Sequence, residues 1–468
     1  MFNKPKQLEH HRGEPEKFRL LFVDAARAAE AHEFERALDL FNRAIALSPG
    51  HAESYYKRGN VLKSLGHLRA AIDSYDQAIM RSPDYAHAYC NRGVTQQALG
   101  LRAEALFSYD SAIARDPSDA LTHYNRALLL QESGRWDEVL ESYDRSIAIN
   151  PAFADAQFNR ALALLYCGEL ENGWRSYEWR WKNAARLGMG EPREFLQPLW
   201  LGEESLECKR LLLHSEGGLG DTLQFCRYAP LAAARGAKVF LEIQPPLHGL
   251  LANIEGVSEV IVKGSALPQF DYHCPLMSLP LAFRTTFVDI PPPPRCLQSD
   301  KSNLARWNSL RLNSKNPRIG LVWSGNPQNV ADQRRSICFA DLAARLPSGY
   351  QYFRLQRDVG EKDRATLEAS PFVNSNDRDV QDFLHIAALC ECMDLVITVD
   401  TSLAHLSGAI GRPTWLLLPF VPDWRWLRDR EDSPWYPTMK LFRQKTLGNW
   451  SEVLDRMATE LRHEFPVT

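Results

Sequence analysis

The sequence of 468 residues predicts an α-solenoid followed by an α/β region of two parallel-sheet halves. Three observations predict it. Pro49, Pro83, Pro117 and Pro151 recur at a step of 34, and so do Gly66, Gly100, Gly134 and Gly168. After Trp200 the pattern changes to short aliphatic or β-branched runs separated by helical lengths, the rhythm of βαβ units. A run of four prolines at 291–294 then divides those runs into two series.

Composition narrows the classes. Hydrophobic residues make up 45% and charged residues 24%, as in ordinary soluble proteins. A net charge of −3 argues against a large nucleic-acid footprint. No apolar stretch approaches the ~20 residues of a membrane helix. Residues 1–17 read as a polar tail without the apolar core of a secretory signal. The nine cysteines are scattered and form no CxxC pair, which predicts a reduced, cytoplasmic protein. Cys390 and Cys392 lie in an apolar helical run and read as packing residues.

Each 34-residue unit holds two helical patterns, a Gly-containing turn between them and a Pro after the second. Gly59, Gly93, Ala127 and Ala161 let paired helices approach, and the aromatics Phe41, Tyr75, Tyr109, Tyr143 and Tyr177 fill the contact. These units strongly resemble the tetratricopeptide repeat over 18–185, followed by a linker over 186–205. Four units are clear, and a fifth, ending NGWRSYEWRW, is degenerate and aromatic-rich, as befits a unit that packs on a different domain. Asn91, Asn125 and Asn159 hold one place in their repeats, with Lys57 at that place earlier. In tetratricopeptide arrays this place faces the concave groove, where side-chain amides can hold an extended acceptor polypeptide without reading its sequence. Helix–helix hydrogen bonding is the other role open to them. The recurring Arg58, Arg92, Arg126 and Arg160 have no assigned role.

The first α/β half, over 206–300, has runs at 211–213, 239–243 and 260–262. The second, over 301–445, has runs at 318–323, 350–355, 395–399 and 414–418, and 446–468 ends in an amphipathic closing helix. Open parallel sheets bind ligands at the carboxyl ends of their strands, and three segments fall there. The first is GGLGDTLQF, where Gly218 and Gly220 permit a tight turn and close backbone approach, and Asp221 is either a functional carboxylate or a helix cap. The second is WSGNP with the following DQRRS, offering Ser324, Asn326, Arg334 and Arg335 to a diphosphate, with Gln356 at the end of the next strand. The third is Asp400-Thr401-Ser402 opening a helix that carries His405. Trp424 and Arg425, with Trp426, offer ring faces and a cation for stacking on a sugar or base, or form an aromatic closing loop. Asp377 and Asp379 make a formal DxD pair, read as a helix start or nucleotide-side loop rather than a metal site, and nothing has zinc-ligand spacing.

Together these segments resemble the heptosyltransferase-related glycosyltransferases of the two-Rossmann, GT-B type (glycosyltransferase family 9), over 206–468. The resemblance implies that Asp221 matches the catalytic aspartate, that Asp400, Thr401 and His405 match the donor-diphosphate segment, and that WSGNP opens the second half. Ser402 stands where that segment often has glycine. Simple heptosyltransferases have no repeat array. The joined architecture is similar to bacterial protein glycosyltransferases with tetratricopeptide arrays, including those that modify flagellins, and in plan to O-GlcNAc transferase. It implies an inverting, metal-independent transfer from a nucleotide-diphosphate sugar to a protein hydroxyl, with no cofactor, no nucleic-acid partner and oligomerisation through the repeats as an option. The alternatives are a glycan or lipid-linked acceptor, or a non-catalytic adaptor.

Overall fold

The structure is a computed structural model that describes residues 10–183, 193–294, 304, 316–326, 332–370, 373–374 and 382–467. It divides into two compact units, residues 1–160 and 161–468. Asp377 and Asp379 lie outside the described residues.

The first unit is a tandem of antiparallel helix pairs. They are α1 (His10–Glu30) with α2 (Phe34–Leu47), α3 (Ala52–Ser64) with α4 (Leu68–Arg81), α5 (Ala86–Ala98) with α6 (Arg102–Arg115), and α7 (Ala120–Glu132) with α8 (Trp136–Ile149). The next pair is α9 (Ala154–Cys167) and α10 (Leu170–Tyr177). α1 reaches back to His10, into the segment expected to be a tail, and takes in Pro15 in its second turn. The recurring glycines sit between paired helices in the left-handed region, at φ +78, +76 and +71 for Gly66, Gly100 and Gly134, where a side chain would be strained.

The period of 34 is also a period of contacts. A Cβ on Gly59 would lie 2.6 Å from Tyr75, and one on Gly93 2.8 Å from Tyr109, so each glycine seats the ring sixteen residues on. The unassigned arginines form a ladder. Arg92 donates to Ser108 (3.0 Å) on the partner helix of its own repeat and to Asp76 (2.6 Å) on the preceding one. Arg126 does the same with Ser142 and Asp110, both at 2.7 Å. Arg58 reaches Ser74 and Asn42, and Arg160 reaches Asp144. Arg81 and Arg115 lie 4.0 and 4.1 Å from the rings of Tyr55 and Tyr89, and each donates to a proline carbonyl thirty-two residues back. These stacked guanidinium contacts tie each repeat to its neighbour.

The second unit begins at Ala161, inside α9, and so takes in the second half of α9 and all of α10, which the expected boundaries placed in the array. Its aromatics explain the difference. Trp174 is 2% exposed and donates from Nε1 to the Thr285 carbonyl at 3.1 Å, and Tyr177 packs on Trp424. Likewise 193–200 is not a free linker, because Leu199 bridges to His273 and Trp200 is fully buried.

All strand pairs in this unit are parallel. The first sheet has the order β3-β2-β1-β4, from β1 (Arg210–His214), β2 (Lys238–Ile243), β3 (Val257–Val262) and β4 (Tyr272–Pro275). The second has the order β10-β9-β8-β5-β6-β7, from β5 (Arg318–Val322), β6 (Gln351–Arg354), β7 (Val373–Asn374), β8 (Leu395–Val399), β9 (Thr414–Leu418) and β10 (Met439–Arg443). β4, β7 and β10 escaped the sequence reading because they are short or mixed in polarity, as in YHCP and MKLFR. The chain order reverses between β1 and β4 and between β5 and β8, and parallel sheets open a ligand crevice at such points. At the opposite end of each sheet stands the same pin. Arg210 donates from its backbone and side chain to Asp271, and Arg318 does so to Asp394. The closing helix, Trp450–Glu464, buries Val453, Leu454, Met457 and Leu461 on the second sheet.

Replacing Gly93 by Val drives a branched side chain into the Tyr109 ring. A denaturant melt of the full chain should report a loss of about 1–3 kcal/mol in its repeat-array transition, whereas Arg357→Ala, on an exposed loop of the second unit, should leave that transition in place.

Candidate functional site

The chain leaves β1 through Ser215, Glu216 and Gly217 and enters α11 (Leu219–Phe225). Gly217 has φ +67, and a Cβ there would lie 2.5 Å from Asp221 Oδ2. The turn therefore needs glycine twice over, for its dihedral and for its bareness. Asp221 folds back so that Oδ2 accepts the Gly218 N–H at 2.6 Å, and its side chain keeps 22% of its surface accessible. The capping role is thus real, and it leaves Oδ1 for another partner.

That partner comes from the second sheet. Arg425, beyond β9, donates from Nη2 to Asp221 Oδ1 at 2.5 Å, from Nε to Gln224 Oε1 at 2.7 Å and from Nη1 to Asp423 Oδ1 at 2.8 Å. Burial pushes the Asp221 carboxyl above its ordinary range, while the Arg425 charge and the Gly218 N–H pull it back down, and Asp423 adds to the rise. Two residues past Arg425, Leu427 holds φ +55 with ψ 176, a region otherwise left to glycine that costs about 1–3 kcal/mol. Buried Trp426, whose carbonyl accepts from Arg443, anchors that strained turn.

The second crevice is built from the loops after β5 and β8. Gln356 accepts the backbone N–H groups of Trp323 (3.1 Å) and Ser324 (3.0 Å) on one oxygen and donates to Ser324 Oγ at 2.5 Å. Ser336 takes the Gly325 N–H and donates to Asp332, which also receives Arg335 Nε at 3.1 Å. Gln356 is thus the brace of the WSGN loop, Arg335 is half-buried within it, and Arg334 and Asn326 are exposed at its surface. After β8 comes Asp400, and Thr401 caps α12 (Ser402–Ala409) by accepting the Leu403 N–H. Burial, with Asp423 nearby, pushes the Asp400 carboxyl up to about 6, against the Trp426 indole N–H and the charges of Arg335 and Arg425. That indole nitrogen is buried and closes no hydrogen bond of regular geometry, so it favours the anion by proximity.

The two crevices meet at Gly220. A Cβ there would lie 2.7 Å from His405 Cδ2, so α11 and α12 touch through a glycine and an imidazole. His405 is buried, stacks on Trp426 with ring centroids 5.4 Å apart, and shares a 3.0 Å hydrogen bond with the Tyr436 hydroxyl through Nδ1. Burial and the charges of Arg425, Arg227 and Arg335 hold it well below its usual pKa, so it is neutral near pH 7.

The structure therefore gathers Asp221, Gly218, Gly220, Arg335, Asp400, Thr401, Ser402, His405 and Arg425 around one locus. Two sequence expectations change. Trp424 is no stacking platform, since it is 4% exposed among Trp174, Trp435, Tyr177 and Phe225. Arg425 spends its donors on protein groups rather than presenting a free cation. In the first unit, Asn91 and Asn159 donate to the Tyr56 and Tyr124 hydroxyls at 3.0 and 2.9 Å, and Asn125 reaches Cys90 Sγ at 3.9 Å. Their amide nitrogens thus make the helix–helix contacts that the sequence left open beside a groove role. Missed by the sequence reading were Gln224, Glu216 and Arg180. Nothing local marks the last two as partners, since 36 residues separate them.

Arg425→Met leaves Asp221 buried without its counter-charge, and urea unfolding at neutral pH should report a loss of about 3 kcal/mol. Asp400 has a second signature. Its folded pKa lies above the unfolded value near 3.9, so its ionisation penalises the native state increasingly as pH rises from about 4 to about 6 and fully above that. Asp400→Asn removes the penalty, so thermal melts should show the variant gaining on the wild type across that window and holding the gain to pH 8.

Family models match within the array, one described as TPR repeat over residues 59–100 and one as Tetratricopeptide repeat over residues 86–119. The chain is 27% identical over 316 residues to Protein FlbA of Caulobacter vibrioides, covering 62% of this chain and 52% of that protein. It thus spans about half the length of the curated relative it matches. Similar solved structures include YrrB, described as a TPR protein with an unusual peptide-binding site, at 22% identity over 34% of this chain and 82% of that one, TM-score 0.30. MamA from Desulfovibrio magneticus is 16% identical over 38% of this chain and 98% of its own, TM-score 0.32. Scores that low carry no argument about this chain. The N-terminal region is a helical array of tetratricopeptide repeats, and a region with parallel sheets follows it.

Proposed function

We propose that this chain is an inverting glycosyltransferase of the GT-B type, moving a sugar from a nucleotide diphosphate to a hydroxyl of a polypeptide. One observation carries the reading: the turn that bears Asp221, at the switch point of one parallel sheet, meets the Asp400–His405 segment at the switch point of the other through Gly220 against His405, and Arg335 is among the charges acting on Asp400 and His405. Glycosyl transfer needs a carboxylate on one side and a diphosphate cradle on the other. In this mechanism Asp221 takes the acceptor's proton as the hydroxyl oxygen bonds to the anomeric carbon. The bond from that carbon to the diphosphate oxygen breaks with its electron pair, and the configuration inverts. Arg335 and the N–H groups opening α12 receive the charge that grows on the leaving diphosphate. Arg425 favours the charged form of the Asp221 carboxyl against the effect of burial. Nothing in this scheme calls on a metal or a cofactor. The tetratricopeptide array is the reason for a polypeptide acceptor, and free cysteines accord with a cytoplasmic setting. Among the described residues no helix is long and apolar enough to cross a membrane.

A second reading, a binding adaptor without turnover, draws on the fact that both Asp221 oxygens are already engaged. One experiment separates them. A thermal-shift panel of uridine, guanosine, cytidine and adenosine diphosphates should identify a stabilising nucleotide, and the matching sugar donor should be consumed by wild type. Asp221→Asn should keep the shift and lose turnover by about 10³-fold or more. Full turnover in that variant removes Asp221 as the base, and no shift with any nucleotide favours the adaptor.

A further inference from the structure

The motif NGWRSYEWRW closes the fifth helix pair, and neither packing within the array nor the proposed chemistry accounts for its two arginines and its aromatics. Arg180, in the 3₁₀ turn Glu178–Asn183 after α10, is fully buried. It forks onto Glu216, Nε to Oε2 at 3.0 Å and Nη2 to Oε1 at 2.9 Å. Its remaining donors reach Glu178 (2.7 Å), Ser278 (2.7 Å) and the Tyr177 carbonyl (3.3 Å). Glu216 also accepts the Met277 N–H at 3.0 Å, and its side chain is 5% accessible. The residue after Glu216 is Gly217, the left-handed hinge of the turn that aims Asp221. The other support of Asp221 rests on the same helix. Trp174 and Tyr177 of α10 lie 5.3 and 6.0 Å from the Trp424 ring, and Trp424 in turn lies 4.3 Å beneath the Arg425 guanidinium.

We infer that the fifth helix pair is a working part of the catalytic half, with Arg180 as the positioning residue that sets the Asp221 turn through its buried fork on Glu216. The inference deepens the proposed transferase reading and rests on it for its kinetic arm. A bidentate guanidinium–carboxylate pair constrains both distance and plane, which a lysine point charge does not. Small misplacements of a catalytic group cost rate far more than binding. The nucleotide cradle is braced separately, by Gln356, Asp332 and Ser336, so disturbing Arg180 should leave donor affinity alone.

The test uses the full chain, the donor sugar that wild type consumes, and its nucleotide diphosphate. In Arg180→Lys, kcat should fall about a hundredfold with donor KM and the nucleotide thermal shift unchanged. In Arg180→Met/Glu216→Gln, removal of both charges should restore most of the stability that Arg180→Met alone loses, while kcat stays low. Wild-type kcat in Arg180→Lys, or activity that returns with stability in the double variant, overturns the inference. Hydrogen exchange supplies an arm independent of turnover. Amides of 214–222 should exchange about tenfold faster in Arg180→Lys while those of 395–409 hold their rates. Unchanged protection of 214–222 overturns the inference even if no sugar donor is found, whereas failure of every nucleotide with altered exchange defeats only the transferase reading.

Discussion

A single buried ion pair, Arg425 with Asp221, organises the second unit. Two hundred and four residues separate its members in the chain: Asp221 stands in the first turn of α11 after β1, and Arg425 in a 3₁₀ turn beyond β9. An exposed pair of this kind contributes little, because water screens it and side-chain entropy opposes it. Here the guanidinium is 9% accessible and is ringed by Asp221, Asp423 and Gln224, so the charges compensate one another where water does not. The strain held at Leu427 and the packing of Trp424 on Trp174 make sense as supports for that one side chain. The neutral His405 pressed on Gly220 completes the contact without adding a charge the pair would have to accommodate.

The first unit obeys a different economy. Its charges are distributed, one arginine per repeat: Arg92, Arg126 and Arg160 are largely buried, and each reaches an aspartate of the preceding repeat. Its aromatic contacts are spaced in the same way, Tyr75 over Gly59 and Tyr109 over Gly93. Stability in such an array is close to a sum of nearest-neighbour terms, so a lesion in one repeat is felt locally. The second unit gathers Asp221, Asp423 and Arg425 at one place, and a lesion there is felt by two sheets.

Repetition made the array legible. A step of 34 in proline, glycine and aromatic positions survives any error of a residue or two at helix ends. Buried strands of Leu, Val and Ile were legible for their aliphatic run, and the glycine turn after β1 and the Asp400 helix start for their special backbone chemistry. What escaped depended on distant partners. Arg180 carries no local signal until Glu216 is seen against it, and Arg425 reads as a free cation until Asp221 is. Aromatic density is ambiguous in the same way: Trp424 has the composition of a ligand platform and the environment of a core residue. The Asn column suits a peptide groove by composition, and its nitrogens donate to the preceding repeat.

The twin pins beneath the sheets have a consequence for how this unit tolerates change. Arg210 on Asp271 and Arg318 on Asp394 each lock the first strand of a half to the strand across its switch point, at the end remote from the crevices. Strand register is thereby clamped at the floor of both sheets, leaving the loops at the roof without that duty. Changes in those loops should therefore leave the pairing of β1 with β4 and of β5 with β8 in step.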